Sequence, residues 1–348
     1  MPDADTDKII GCLVGAAVGD ALGLPFEGLT PARRMRMFSD VQGYRFILRH
    51  GMASDDTEHL CMTAQSLLAS RGDHDRFARS LGWRLRFWIL ALPAGVGFAT
   101  LRACIKLWLG WPASRSGIHS AGNGPAMRSA ILGVIHLDDS EMLKSLVRAS
   151  TRVTHTDPRA ETGALIVAVA AGCAAWDKPF FPTLEGFLPA TDHEFHEAMR
   201  RVRHSIESGQ TTQEFAVELG LERGVTGYIL HTVPLSIHAW LRNKEDFRRA
   251  VTEVISCGGD TDTTAAITGA IVGSRTGLQG IPADLIGGYC DYPRSINWIK
   301  RLGERVADYR TGNREVRPLG LAFYFIPIRN LIFLFAVLAH GLRRLVPL

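Results

Sequence analysis

The stretch Lys8-Ile9-Ile10-Gly11-Cys12-Leu13-Val14-Gly15-Ala16-Ala17-Val18-Gly19-Asp20-Ala21-Leu22-Gly23 decides how this chain folds. Its glycines recur every four residues, which places them on one face of a helix over residues 8–23. Each interior glycine costs a helix roughly 1 kcal/mol relative to alanine, so close packing has to compensate. The face without side chains therefore predicts that another helix approaches this one closely.

A second segment rich in small residues begins near residue 256. The chain there reads Ser256-Cys257-Gly258-Gly259-Asp260-Thr261-Asp262-Thr263-Thr264, and an apolar run over 265–272 follows at once. Two acids that lie two residues apart would point to different sides of a helix. In a glycine-led turn before the helix they can converge. The sequence predicts an acidic turn that opens a closely packed helix.

A similar acidic turn, Ser54-Asp55-Asp56-Thr57, precedes a second helical pattern far upstream in the chain. One such turn by itself is usually a helix cap, because Asp, Ser and Thr side chains accept hydrogen bonds from the first free N–H groups. Two of them together can supply four carboxylates. Carboxylate and hydroxyl oxygens are the ligands of Mg²⁺, Mn²⁺ and Ca²⁺. If the fold brings the turns together, they can hold two divalent ions close to each other.

Length and composition favour a folded domain with a substantial core. The chain has 348 residues, of which 46% are hydrophobic, and a formal net charge of +4. Helical periodicity recurs along the chain, and no useful strand alternation appears, so we predict an all-α fold. No block of basic residues interleaved with aromatics forms a nucleic-acid footprint. In the stretch 77–112, the aromatic residues Trp83, Phe87, Trp88, Trp108 and Trp111 are expected to be core residues.

The cysteines and the N-terminus favour a cytoplasmic location. Six cysteines are scattered without a C-x-x-C pair, which is typical of reduced core residues. The first residues are acidic and lack the basic start of a signal peptide.

The last thirty residues differ from the rest of the chain. Residues 319–339 are mostly apolar but are interrupted by Pro327, Arg329 and Asn330. A central arginine costs a membrane-spanning helix about 2.5 kcal/mol or more. We therefore divide the chain into a domain over 1–312 and an apolar tail over 313–348. In order of preference, the tail packs on the domain, contacts a partner or second copy, or attaches to a membrane surface.

Five motifs in order resemble the ADP-ribosylglycohydrolase family, over about residues 8 to 300. They are Gly19-Asp20-Ala21-Leu22-Gly23 followed by Pro25-Phe26-Glu27, Ser54-Asp55-Asp56-Thr57, Gly122-Asn123-Gly124 with Ala126-Met127-Arg128, Thr154-His155-Thr156-Asp157-Pro158, and Gly258-Gly259-Asp260-Thr261-Asp262-Thr263. One such motif would be weak evidence, whereas five in sequence are specific. The resemblance implies a compact orthogonal multi-helix bundle of that family's type.

The resemblance also implies an activity and a set of site residues. The expected reaction is hydrolysis of the glycosidic bond between ADP-ribose and a modified acceptor, most often protein arginine, with two Mg²⁺ or Mn²⁺ ions. By motif correspondence the metal ligands are Ser54, Asp55, Asp56, Asp260, Asp262 and Thr263. The expected catalytic residues are Glu27, Asp55 and Asp262.

Two further motifs are expected to bind the ADP-ribose part of a protein or small-molecule substrate. The resemblance places Gly122, Asn123 and Gly124 in the ADP-ribose pocket, and His155 near the nucleotide. A glycine turn before the helix predicted over 126–135 suits a pyrophosphate, because a helix N-terminus presents free N–H groups. Pro125 removes one of these donors.

Other functions fit the sequence less well. Asp55-Asp56-Thr57-Glu58-His59 superficially resembles the D-D-x-x-D motif of terpene synthases, but its fifth position is histidine. A His-Asp phosphohydrolase could use His74-Asp75, which lie in a polar turn. The serious alternative is a protein that binds ADP-ribose or neutralises a toxin by occupancy. The intact acids in both turns argue against it, since a pure binder needs no metal ligands.

Overall fold

The computed structural model describes residues 3–38, 40–313 and 315–345, which form α-helices, short 3₁₀ turns and loops. The helices are α1 (Ala4–Gly23), α2 (Pro31–Met37), α3 (Asp55–Ser70), α4 (His74–Trp88), α5 (Phe98–Trp108), α6 (Ala130–His136), α7 (Ser140–Arg152), α8 (Pro158–Trp176), α9 (Phe180–Glu185), α10 (His193–Glu207), α11 (Thr212–Glu218), α12 (Ile229–Arg242), α13 (Phe247–Ser256), α14 (Thr261–Thr276), α15 (Ala283–Gly288), α16 (Ile296–Arg310) and α17 (Ile326–Leu345). Within these described ranges the only β contacts are isolated bridges. The predicted all-α bundle is confirmed.

Helix α1 packs against α14 at backbone-to-backbone distance. A Cβ atom added to Gly15 would lie 2.2 Å from the carbonyl oxygen of Gly269, and one added to Gly269 would lie 2.3 Å from that of Gly15. Gly11 and Gly19 meet α14 in the same way. The predicted close approach of a second helix is therefore confirmed. The helix begins at Ala4 rather than at residue 8, because the Asp3 side chain accepts a hydrogen bond of 2.8 Å from the Thr6 N–H and caps it.

The α1–α14 pair forms the centre of the molecule. Helices α3, α6 and α16 pack on α1, and α8, α12 and α13 pack on α14. The C-terminal end of α1 meets the N-terminal end of α14, where the Thr261 hydroxyl donates a 2.8 Å hydrogen bond to the Gly23 carbonyl. This contact places Asp20 of α1 and the acidic turn before α14 at the same end of the pair.

The segment after Gly122-Asn123-Gly124 differs from its prediction. Residues Ala126–Arg128 form a 3₁₀ turn, and α6 starts only at Ala130. The N–H groups of Ala126 and Met127 both donate to the Asn123 carbonyl, at 2.8 and 3.2 Å. Because a turn replaces the helix, these two donors are already used. The expected row of free N–H groups for a pyrophosphate does not form there.

Five aromatic residues between residues 83 and 111 were predicted to be core, and for four of them this was wrong. Trp88 is buried, but Trp83, Phe87, Trp108 and Trp111 are 54%, 59%, 46% and 47% exposed. Helix α4 buries the face that carries Phe77, Leu81, Leu85 and Trp88. Trp83 and Phe87 lie four residues apart on the opposite face. Periodicity alone does not say which face of a helix packs against the rest of the domain.

Within the part of the chain that the structure describes, two helices have the length and apolar character of a membrane span. The segment Ala4–Phe26 has a mean hydropathy of 1.8 and is 100% buried, so it is a core helix. The segment Phe323–Arg344 also has a mean hydropathy of 1.8 but is only 17% buried. One face of α17 packs on the domain through Phe333, as the preferred interpretation of the tail predicts. The division at residue 312 and the cytoplasmic location stay predictions.

The glycine contact predicts a large loss of stability in Gly15→Ala. The added methyl group would collide with the α14 backbone, which has no flexible side chain to move aside. We expect the free energy of unfolding to fall by about 3 kcal/mol, the upper end of overpacking costs. The measurement is urea unfolding followed by circular dichroism.

The matched control is Gly287→Ala, also in a helix, where an added Cβ meets nothing within 4 Å. It should leave stability unchanged or raise it by up to about 1 kcal/mol. An unfolding midpoint for Gly15→Ala equal to that of the unmodified protein would show that the helices do not touch through their backbones.

Candidate active site

The predicted site residues, with one exception, line a single cavity of about 490 Å³ at the shared end of α1 and α14. The cavity wall contains Glu27, Asp55, Asp56, Gly122, Asn123, Gly124, His155, Asp260, Asp262 and Thr263. Ser54 is the exception: it is buried behind the wall. The fold thus brings together segments that are far apart in the sequence.

The upstream acidic turn is held in place by Asp20. The Asp20 carboxylate accepts hydrogen bonds from the Ser54 N–H at 2.9 Å, from the Thr57 N–H at 3.1 Å and from the Thr57 hydroxyl at 2.6 Å. Burial raises the pKa of Asp20 to about 6, although these bonds oppose the shift. Asp20 was not among the predicted site residues. The sequence did hold a signal for this role, because Asp20 is a charged residue in an otherwise apolar stretch of helix with glycines every four residues.

The downstream acidic turn depends on two glycines in left-handed conformations. Gly258 and Gly259 have φ values of 70° and 80°. The Gly259 N–H donates to the Leu29 carbonyl at 2.8 Å, and the Asp260 N–H donates to the Val225 carbonyl at 2.9 Å. A Cβ on Gly259 would lie 2.0 Å from the Val225 oxygen. Only glycine allows the turn to pass between these two segments and aim Asp260 into the cavity.

The two acidic turns meet at Asp56. Its Oδ2 accepts hydrogen bonds from the Ser54 hydroxyl at 3.1 Å and from the Thr263 hydroxyl at 3.2 Å. Burial and the neighbouring carboxylates, Asp20 first among them, raise the pKa of Asp56 well above its usual value. Burial and the charge of Glu27 do the same for the pKa of Asp262. So many carboxylates in one cavity repel each other unless protons or cations neutralise them.

The donor atoms present fit a divalent cation. Asp56 Oδ1 and Asp262 Oδ1 are buried and have no hydrogen-bond partner among the residues that the structure describes. Both are hard oxygen ligands, and the hydroxyls of Ser54 and Thr263 lie beside Asp56. Among the described residues, however, no three His, Cys, Asp or Glu side chains already converge on one point as metal ligands do. The site is therefore suited to cations by its chemistry, and binding requires the carboxylates to draw together.

Glu27 stands at the solvent-exposed rim of the same cavity, directly after a 3₁₀ turn that ends α1. The cavity walls desolvate its carboxylate, and the Asp260 charge adds to that effect, so the pKa of Glu27 is raised. The guanidinium of Arg344 in α17 opposes the shift. A carboxyl group with a raised pKa is suited to carrying a proton to or from a substrate.

The glycine loop is shaped around His155. A Cβ on Gly122 would lie 3.0 Å from His155 Nε2, and one on Gly124 would lie 3.0 Å from Cε1. The two glycines therefore make room for the imidazole. Asn123 donates a 2.7 Å hydrogen bond to Asp260 Oδ2, which connects this loop to the downstream acidic turn. The histidine itself is buried, and its Nδ1 lies 2.9 Å from the Thr154 hydroxyl.

Arg128 connects the loop that contains Gly124 to the loop that contains Thr154 and His155. Its guanidinium is fully buried and donates to the Gly124 carbonyl at 3.1 Å and to the Thr154 hydroxyl at 2.6 Å. It also donates to the Ser150 carbonyl at 2.9 Å. These bonds give Arg128 a positioning role that sequence analysis did not assign, although Arg128 belongs to a quoted motif. Its five donors suit several acceptors at once.

Comparisons with known proteins identify the family of the chain. The family model described as ADP-ribosylglycohydrolase matches residues 1–316. The ADP-ribosyl-[dinitrogen reductase] glycohydrolase of Rhodospirillum rubrum is 26% identical over 317 residues, which cover 89% of this chain and 93% of that protein. The ADP-ribosylarginine hydrolase Tri1 of Pseudomonas putida is 26% identical over 323 residues, which cover 88% and 80%. A solved structure titled ADP-ribosylglycohydrolase-related protein complex has a TM-score of 0.68, 28% identity, and coverage of 89% of this chain and 99% of its own.

The chain combines an all-α fold with a carboxylate-lined cavity at the shared end of its two central helices. The chain belongs to the ADP-ribosylglycohydrolase family, and it is a hydrolase of ADP-ribosylated targets.

The anchoring of the upstream turn predicts that Asp20→Asn destabilises the protein. The substitution replaces one acceptor oxygen by an NH₂ group that faces the donors of Ser54 and Thr57. Measured with a chelator present, the free energy of unfolding should fall by about 1–3 kcal/mol. The control is Asp308→Asn, the same change at an exposed position, which should shift it by less than about 0.5 kcal/mol. Equal stability of the two variants would contradict the anchoring role.

The environment of His155 predicts that its imidazole is neutral at every physiological pH. Burial, together with the positive charge of Arg128, lowers the pKa of His155 to about 3. We expect its Cε1–H NMR signal, assigned with His155→Gln, to keep its chemical shift between pH 5 and 8, where exposed histidines titrate. A titration midpoint near 6.5 would show that the ring is solvated and free of Arg128.

Proposed function

We propose that this protein hydrolyses the glycosidic bond between ADP-ribose and a modified arginine side chain, with two Mg²⁺ or Mn²⁺ ions as cofactors. The observation that carries the proposal is the convergence of Glu27, Asp55, Asp56, Asp260 and Asp262 on one cavity. That cavity is large enough for a substantial ligand, since ligand sites commonly measure ~300–1,000 Å³. Its acidic wall suits both the cations and a developing positive charge on a sugar.

The ligands proposed for the ions come from both turns. Ser54, Asp55 and Asp56 would serve from the start of α3, and Asp260, Asp262 and Thr263 from the start of α14. The unpartnered oxygens Asp56 Oδ1 and Asp262 Oδ1 support this assignment. When bound, the ions would supply Lewis-acid chemistry that orients ribose hydroxyls and lowers the pKa of a water molecule.

Carboxyl groups of the protein would transfer the protons during the reaction. Glu27 at the rim would donate a proton to the acceptor nitrogen as the bond to the anomeric carbon breaks and its electron pair moves to nitrogen. A water oxygen would then bond to that carbon, and Asp55 or Asp262 would take up the proton it loses. Positive charge that develops on the sugar would be stabilised by the carboxylates around it.

The proposed substrate contacts form another part of the same cavity wall, next to Asp260. Gly122, Asn123, Gly124 and His155 would hold the ADP-ribose part. The neutral imidazole can take part in hydrogen bonding or packing without adding a charge. Because the expected N–H row at residues 126 and 127 is already used, the diphosphate would find its donors elsewhere on this wall.

Arginine is the proposed acceptor for two reasons. The name of the Pseudomonas putida relative specifies ADP-ribosylarginine. In addition, the cavity wall carries several carboxylates, which attract a cationic guanidinium. A localisation in the cytoplasm would give access to such targets.

The proposal predicts metal-dependent release of ADP-ribose from an arginine-ADP-ribosylated protein. Release should require Mg²⁺ or Mn²⁺ and stop with a chelator, and a serine-linked substrate should react more slowly. Glu27→Gln should lower kcat by about 10²–10⁴-fold, the range of general acid–base catalysis. The measurement is chromatographic quantification of free ADP-ribose.

The control for Glu27→Gln is Glu304→Gln on the exposed face of α16, which should retain full activity. Release that persists in chelator would contradict the metal requirement. Binding of ADP-ribose without release would favour the alternative in which the protein acts by occupancy.

A further inference from the structure

Helix α17 presents a broad apolar face to solvent. Its exposed positions, with those of the preceding 3₁₀ turn, carry large hydrophobic side chains: Phe323 72%, Tyr324 65%, Ile328 57%, Leu331 54%, Ile332 50%, Phe335 64%, Leu338 53% and Leu342 67% exposed. We call this set the outer face of α17. A contiguous apolar face of this size on a soluble domain marks an interaction surface.

The opposite face of α17 is fixed to the domain by buried polar groups. Arg329, 6% exposed, forms an ion pair with Asp291 at 2.5 Å and also donates to the Ala53 carbonyl. The Asn330 side chain donates to the Ala91 carbonyl at 2.7 Å, and the His340 ring lies 2.9 Å from the Phe46 carbonyl. If the helix left the domain, Asp291 would remain buried without its cation, which is costly.

This anchoring decides how the helix can meet a partner. A membrane-spanning orientation would carry Arg329, Asn330 and His340 into hydrocarbon and break their bonds to the domain. The helix can, however, lie flat, with the inner face on the domain and the outer face free. That is the arrangement of an interfacial helix, whose apolar face enters the boundary between headgroups and acyl chains.

The charges around the outer face are positive. The chain has no Asp or Glu after Glu315, whereas Arg317 and Arg343 fall in this segment and are exposed. Arg344 belongs to the inner side of the helix, where its guanidinium donates to the Pro25 carbonyl at 3.1 Å and faces Glu27. Arg33 of α2 adds a further cation, since its guanidinium donates to the Arg344 carbonyl. A second copy of the chain would bring an equally cationic rim with no carboxylate from this segment to meet it. An anionic lipid surface is complementary to it.

Neighbouring side chains extend the apolar surface. Leu90 and Leu92, which flank the Ala91 bonded to Asn330, are 59% and 83% exposed. Tyr292, 50% exposed, packs edge-on against Phe325 with the ring centroids 5.2 Å apart. Tyrosines at the rim of an apolar surface are typical of the interfacial region of a membrane, because the ring is apolar and the hydroxyl is hydrated.

We propose that the outer face of α17 attaches this protein to the surface of a membrane that contains anionic phospholipids, with the helix in the plane of the interface. The exposed arginines, Arg33, Arg317 and Arg343, contact lipid phosphates, and the aliphatic and aromatic side chains enter the acyl boundary. The attachment is independent of the reaction proposed for the cavity.

The test is flotation of the full-length protein with vesicles. The protein should float with phosphatidylcholine vesicles that contain phosphatidylglycerol, and much less with phosphatidylcholine alone. Added salt should weaken the binding, because it screens the arginines. The double substitution Leu331→Gln with Phe335→Gln should lower the bound fraction about tenfold, since it removes apolar contact but none of the bonds of the inner face.

The control replaces two apolar residues that are equally exposed elsewhere, Ile105→Gln with Val217→Gln, at 50% and 55% exposure. It should float as well as the unmodified protein. Circular dichroism and ADP-ribose release, measured without vesicles, confirm that both variants are folded.

Two results would overturn the proposal. One is the absence of flotation with phosphatidylglycerol vesicles at low salt. The other is a concentration-dependent dimer in sedimentation that Leu331→Gln with Phe335→Gln converts to a monomer, without any vesicle binding. The second result would assign the outer face to a second copy of the chain.

Discussion

The backbone contact between α1 and α14 is the constraint on which the rest of this structure depends. Four glycines of α1 face carbonyl oxygens of α14 at distances that leave no room for a Cβ atom. Close approach of this kind replaces side-chain interdigitation by extended backbone packing, which fixes the rotation and the sliding position of one helix against the other. Asp20 and the turn at Asp260 owe their relative positions to that fixed register.

The carboxylates of the cavity repel one another, and the fold holds them close together despite this repulsion. Its carboxylates stand at the starts of α3 and α14, where free N–H groups favour negative charge. Burial and mutual repulsion still raise the pKa values of Asp55, Asp56 and Asp262. Rigid anchors around the acids, such as Asp20 behind the upstream turn and the paired glycines before the downstream one, hold them together despite this cost. The anchors keep the negative charges close together in one cavity, and this concentration of charge attracts cations.

Helix α17 contacts the residues that support the site, although its apolar composition gives no indication of such contacts. Arg329 bonds to the carbonyl of Ala53, the residue before the upstream acidic turn, and Asp291 accepts a hydrogen bond from the Ala53 N–H at 3.2 Å. Arg344 at the other end of α17 acts on Glu27 through its charge. One face of the helix is thus part of the support of the cavity, while the other remains exposed.

The sequence by itself determined the helical class, the close approach of α1 to another helix and the acidic turns, because periodicity, glycine spacing and helix-entry residues act locally. Motif resemblance added the family. Tertiary structure alone decided which faces were covered, so the exposure of Trp83 and Phe87 could not be foreseen. It also decided that Gly122 and Gly124 make room for His155, that Asn123 holds Asp260, and that Arg329 and Asp291 pair. These contacts join segments far apart in the chain, and the chemistry of each partner alone does not say which residue it will meet.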